Sequence, residues 1–205
     1  MKQQLIVIHG GDTFDSYEEY LESLKSFELD FERSKVKKWK KTLSEKLGND
    51  FDVISPEMPN ELNAKYLEWR IWFEKYIPHL NDGVILLGHS LGAIFIAKFL
   101  SENVLLKKIH ATLLVAPPFD DIGHDYSLSD FTLPEDMSKF EQQAGKITIY
   151  HSKDDSVVPY ADAKKYKKKI PSIELKTFSD QGHFSQEKFP EIIKDIQALF
   201  TAVTS

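Results

Sequence analysis

Six short apolar runs limit what this chain can fold into: Leu5–Ile8, Phe51–Ile54, Val84–Leu87, Ala111–Val115, Ile147–Tyr150 and Ile173–Phe178. Most lack polar alternation, as parallel strands do when helices cover both faces of their sheet. Ile173–Phe178 alternates through Glu174 and Lys176, which suits an edge strand. Helical spacing fills the intervals. Ser16-Tyr17-Glu18-Glu19 reads as a capping box, followed by Tyr17, Tyr20, Leu21 and Leu24 on one face. Val36, Trp39, Leu43 and Leu47 form a second stripe that stops at Gly48. Tyr66, Trp69, Phe73, Ile77 and Leu80 form a third, and a helix over Ile94–Leu100 follows a glycine-flanked serine. Ala163, Tyr166 and Ile170 come after Pro159, and Pro190 opens a last helix through Ile192, Ile196 and Phe200. Strands separated by helices predict βαβ units, an α/β fold of about six mainly parallel strands.

At 205 residues the chain suits one domain, 1–205, without repeat or low-complexity linker. Only Pro117–Gly145 breaks the rhythm. A stretch of that length without a strong period is expected to be a lid-like loop segment, 117–145. With 32 acidic against 26 basic residues the net charge is −6, which argues against nucleic acid as a partner. No run nears the roughly 18–20 apolar residues of a membrane span. Only four apolar residues, Leu5–Ile8, precede His9-Gly10-Gly11, short of a signal peptide's core. The expectation is a cytoplasmic protein that needs no membrane.

Zero cysteines remove disulfides, thiolate metal sites and a thiol nucleophile. The histidines show no metal-ligand spacing, so neither a metal nor another cofactor is expected. Gly88-His89-Ser90-Leu91-Gly92 lies between the run Val84–Leu87 and the helix from Ala93. Gly-x-Ser-x-Gly alone arises in roughly one chain in fifteen of this size by average composition. Strand–turn–helix context is what sharpens it into a nucleophile elbow. There the turn lifts the hydroxyl above the sheet and leaves the Leu91 N–H at a helix N-terminus, facing a developing oxyanion. Such a serine needs a base and the base an orienting acid. His183, in Asp180-Gln181-Gly182-His183-Phe184, and Asp155, in Asp154-Asp155-Ser156-Val157-Val158-Pro159, each follow a strand-like run. Asp154, Asp120 and Asp121 remain alternatives for the acid. The order Ser90, Asp155, His183 is that of α/β-hydrolases.

These motifs, with His9-Gly10-Gly11 after the first strand, resemble the α/β-hydrolase superfamily over nearly the whole chain. Among its members the chain is similar to the compact serine hydrolases like retinoblastoma-binding protein nine. The resemblance implies a compact α/β-hydrolase fold with strand order second–first–third–fourth–fifth–sixth and at most a small lid. It would bring the Gly10–Gly11 loop beside Ser90, making the Gly11 N–H the second oxyanion donor, with that of Asp12 as runner-up. The expected activity is hydrolysis of a small ester, thioester or amide through an acyl-enzyme. A catalytically silent binding module, or a lyase, acyltransferase or cofactor-free oxygenating enzyme, is the alternative on the same scaffold.

Phe119, Tyr126, Phe131 and Phe184 are candidates for the substrate pocket, whereas Trp69, Trp72 and Phe73 belong to an amphipathic helix and are expected in the core. His9 and His89 read as structural. Two lysine clusters, one from Lys35 to Lys41 and one from Lys164 to Lys169, read as solvated helix faces. Asp120, Asp121, Asp125, Asp130, Glu135 and Asp136 would disfavour anionic substrates if their loop overhangs the site.

Overall fold

The computed structural model describes residues 2–122 and 124–204. Strand β1 (Gln3–Ile8) is followed by α1 (Tyr17–Ser26), the single-turn α2 (Phe31–Ser34), a 3-10 turn at Trp39–Thr42 and α3 (Leu43–Leu47). Next come β2 (Phe51–Ile54), a 3-10 turn at Glu61–Asn63, α4 (Tyr66–Glu74), β3 (Val84–His89) and α5 (Leu91–Glu102). The chain continues through β4 (Ile109–Val115), α6 (Ser138–Gln143), β5 (Lys146–Ser152), α7 (Tyr160–Lys169), β6 (Glu174–Phe178) and α8 (Pro190–Thr204).

The six strands form one parallel sheet in the order β2-β1-β3-β4-β5-β6. Because successive side chains alternate, β1 sends Ile6 and Ile8 to one core layer and Leu5 and Val7 to the other. Trp69 and Phe73 of α4, Phe95 and Phe99 of α5 and Tyr166 of α7 fill the first layer. Trp39, Leu43 and Leu47 fill the second together with Phe189, Ile192 and Ile196 from the C-terminal helix and its approach. Burial on both sides explains the uninterrupted apolar runs. β6 lies at an edge, where Lys176 pairs with Asp195 of α8 at 2.7 Å. β1 sits between β2 and β3, so chain direction across the sheet reverses there and the loops part to leave a crevice.

Three expectations about packing are corrected. α1 forms with Ser16 as its cap, but none of its residues is buried, and Tyr17 is 62% exposed. Trp72 points away from the core, since it lies one helical step from the buried Trp69–Phe73 stripe. Within 117–145, Leu128, Phe131, Met137 and Phe140 are buried, and the Asp130 carboxylate accepts the Tyr66 N–H that opens α4 (3.0 Å). The Thr13 hydroxyl also donates to the Ser127 carbonyl (2.5 Å). The second half of the expected lid is therefore anchored.

Candidate active site

Ser90 stands where β3 meets α5, with φ 55° and ψ −122°, a backbone conformation that costs a side-chain-bearing residue about 1–3 kcal/mol. Its flanking glycines are sterically required. A Cβ on Gly88 would lie 2.5–2.7 Å from the Gly92 carbonyl and the Ala93 backbone, and one on Gly92 would run into the Ile8 and His9 carbonyls. Hydrogen bonds from Ser90 N–H to the Val115 carbonyl (2.8 Å) and from Ala93 N–H to the Ser90 carbonyl (2.9 Å) hold the turn. Among the described residues the Ser90 hydroxyl has no hydrogen-bond partner and does not cap its own helix.

His183 lies in the loop after β6, its Nδ1 at 2.9 and 3.1 Å from the two carboxylate oxygens of Asp155. The Asp155 side chain is 0% exposed, and its Oδ1 accepts the N–H groups of Val157 and Val158, both at 2.9 Å. Asp155 is thus a buried acceptor, fixed by two main-chain donors and facing His183. Asp154 instead accepts from the Ser152 hydroxyl and from Gly182 N–H (3.0 Å), while Asp120 pairs with Lys165 (2.8 Å) and Asp121 accepts from Leu128 N–H (3.1 Å). Of the candidate acids, Asp155 is the one the structure joins to His183.

Across the crevice, a Cβ at Gly10 would lie 3.2 Å from Ser90 Cβ, and one at Gly11 would lie 3.3 Å from the Leu91 side chain. The glycines thus let the loop after β1 pass directly over the elbow. Asp12 is excluded as an oxyanion donor because its N–H is already bonded to the Glu61 carbonyl (2.8 Å). His9 supports this loop. Its Nε2 accepts Met58 N–H (2.9 Å), so Nδ1 carries the proton and donates to the Gly10 carbonyl (2.6 Å). Burial, then the nearby Glu61 carboxylate, raise the Asp12 pKa, and His183 acts in the opposite direction.

The pocket aromatics separate into two pairs. Phe131 and Phe184 are fully buried, against Trp69 (5.2 Å between rings) and Phe189 (5.0 Å) respectively, so neither presents a surface to substrate. Phe119 and Tyr126 keep partial exposure; Phe119 packs edge-on against Tyr166 and Tyr126 stacks on His124. Burial raises the Tyr126 hydroxyl well above the ordinary range, reinforced by Asp162 and other carboxylates that include Asp155. A groove of about 430 Å³ opens beside His183, bordered by Val36, Lys38, Asp180, Ser185 and Gln186.

Donor atoms of Asp120, His124 and Asp162 lie within 4.8 Å of one another. The Lys165 ammonium sits 2.8 Å from Asp120 and 3.1 Å from Asp162, where it supplies the positive charge that two carboxylates call for. Four of the six acidic residues thought to screen the site are committed locally: Asp120, Asp121, Asp130 and Asp136, the last accepting from Ser138 N–H.

Sequence reasoning missed Lys40. It belongs to the first lysine cluster but is half-buried rather than on a solvated face: its Nζ lies 2.7 Å from His89 Nδ1. Its neighbour Trp39 donates from the indole to the Phe184 carbonyl (2.9 Å). Lysine spacing gave no signal for this; only the position next to a buried tryptophan marks Lys40 off from the others.

A parallel sheet in this order, with a strained serine after β3 and a histidine–aspartate pair at later strand ends, defines an α/β-hydrolase. The chain matches the family model described as "Serine hydrolase" over residues 30–200, and it belongs to that family. It is similar to serine hydrolase RBBP9 of Rattus norvegicus, 24% identical over 74% of this chain and 79% of that protein. A putative hydrolase, YdeN of Bacillus subtilis, is 28% identical over 69% of this chain and 73% of its own. The crystal structure of the B. subtilis ydeN product superposes with a TM-score of 0.77 at 22% identity, covering 98% of this chain and 100% of that one. Est1E from Butyrivibrio proteoclasticus shares the fold at TM-score 0.62 and 14% identity, covering 98% and 88% of the two chains. The protein is a serine hydrolase. No helix among the described residues is long and apolar enough to cross a membrane.

Proposed function

We propose that this serine hydrolase cleaves a small acyl substrate (an ester, thioester or amide) through Ser90, His183 and Asp155. The observation that carries the proposal is the His183–Asp155 pair of 2.9 Å lying at the sheet end that carries the strained Ser90. His183 takes the Ser90 proton from its Nε2 side as the hydroxyl oxygen attacks the carbonyl carbon. Asp155 keeps the other proton on Nδ1 and stabilises the imidazolium that forms. The N–H groups of Leu91 and Gly11, neither bonded to an acceptor among the described residues, bind the oxyanion. The imidazolium protonates the leaving group, and water deprotonated by His183 then releases the acid and regenerates Ser90.

Short- and long-chain nitrophenyl esters assayed beside aminoacyl amides test this. Ser90→Ala and His183→Ala should each lower kcat by about 10³-fold or more, and Asp155→Asn by a comparable or smaller factor. Turnover of none of these substrates by wild type would favour a binding module. Full turnover by Ser90→Ala would remove the serine from the mechanism.

A further inference from the structure

The His183 loop is held from two directions. Asp155 holds the imidazole, while the main chain is held by residues that are remote in sequence. His89 Nε2 donates to the His183 carbonyl (2.9 Å), and Trp39 Nε1 donates to the next carbonyl, that of Phe184 (2.9 Å). Gly182 and Phe184, on either side of His183, both have positive φ, 48° and 51°. Such a turn depends on outside contacts to persist. The His89 contact depends in turn on Lys40. An ammonium has only protons to offer, so His89 Nδ1, 2.7 Å from Lys40 Nζ, must accept. The neutral imidazole then carries its proton on Nε2, the atom facing the His183 carbonyl.

We propose that Lys40 is a positioning residue for hydrolysis: through His89 it fixes the backbone of His183 over Ser90. The proposal rests on the roles assigned above to Ser90 and His183. Lys40 acts at a distance from substrate and exchanges no atoms with it. The groups facing it are Lys38 on its own segment, Glu61 on the 3-10 turn before α4, His89 at the end of β3, and His183 behind His89. Burial, then Lys38, push the Lys40 ammonium down to about 7, with Glu61 opposing them. Burial, followed by Lys40 and His183, keeps His89 well below its ordinary range, hence neutral. Lys40 is therefore increasingly charged as pH falls below about 7 and increasingly neutral as pH rises above it. A charged donor makes the stronger hydrogen bond, so the positioning effect weakens as pH rises through that value.

Four variants of the full chain test this: Lys40→Met, Lys40→Arg, His89→Phe and His89→Gln. The readouts are kcat and KM for nitrophenyl acetate and the rate of fluorophosphonate labelling. Lys40→Met and His89→Phe should lose about tenfold in kcat and labelling rate, with KM unchanged within about twofold. His89→Gln, whose amide can accept from Lys40 and donate to the His183 carbonyl, should recover most of the loss. The ratio of wild-type to Lys40→Met kcat should fall between about pH 6 and about pH 8.5, and the ratio of wild-type to Lys40→Arg, charged throughout, should fall over the same interval, because only the wild type deprotonates. Lys40→Arg and His89→Gln keep the donor and acceptor and so remain informative if the other two fold poorly. Wild-type kinetics in Lys40→Met, a loss confined to KM, or His89→Gln as impaired as His89→Phe would overturn the positioning role. A wild-type protein that is not labelled at Ser90 would instead overturn the assigned nucleophile.

Discussion

Helices α1 and α5 make a useful contrast. α1 has the stronger local signal: the Ser16 hydroxyl accepts Glu19 N–H (3.2 Å), and Glu19 reaches back to Asp15 N–H (3.1 Å). Yet it buries no residue. α5 has no side-chain cap at all, yet ten of its twelve residues are buried. Caps decide where a helix begins, whereas burial decides what it contributes to stability. The missing cap on α5 also has a chemical consequence. Ser90 occupies the position where serine ordinarily caps a helix, but its positive φ turns the hydroxyl away. The hydroxyl and the first-turn N–H of Leu91 are thereby both left without a partner among the described residues, as the proposed mechanism requires.

The contrast can be broken or sharpened by substitution. The largest effect belongs to Gly92→Ala, whose methyl would meet the carbonyls of Ile8, at the end of β1, and of His9, just after it. Urea unfolding should show a loss above about 4 kcal/mol, or no folded protein. Phe95→Ala should cost about 3–5 kcal/mol, since Phe95 is fully buried among Tyr66, Trp69, Phe73 and Phe99. In α1, Ser16→Ala should cost about 0.5–1 kcal/mol and Tyr17→Ala no more than about 0.5. A Tyr17→Ala loss equal to that of Phe95→Ala would show that α1 is a load-carrying part of the fold.

The same contrast explains what could be read before the structure. The six strands were legible because two-sided burial leaves an apolar run that few other settings produce. The placement of Ser90, Asp155 and His183 at strand ends was legible because each follows such a run; the roles proposed for them build on that placement. Partners were not legible. Helical periodicity identifies a face but not what covers it, so Tyr17 and Trp72 lie exposed although their stripes looked like core faces. Phe131 and Phe184, in loops with no period, turned out to be core. Lys40 looked like its neighbouring lysines because its distinguishing contact, His89, is 49 residues away in the chain.

The nucleophile is tested most directly by fluorophosphonate labelling followed by peptide mass spectrometry. One adduct per chain is expected, on the peptide containing Ser90, absent in Ser90→Ala and formed at least about 10²-fold more slowly in His183→Ala. An undiminished adduct in Ser90→Ala, or one on another serine of the wild type, would contradict the assignment.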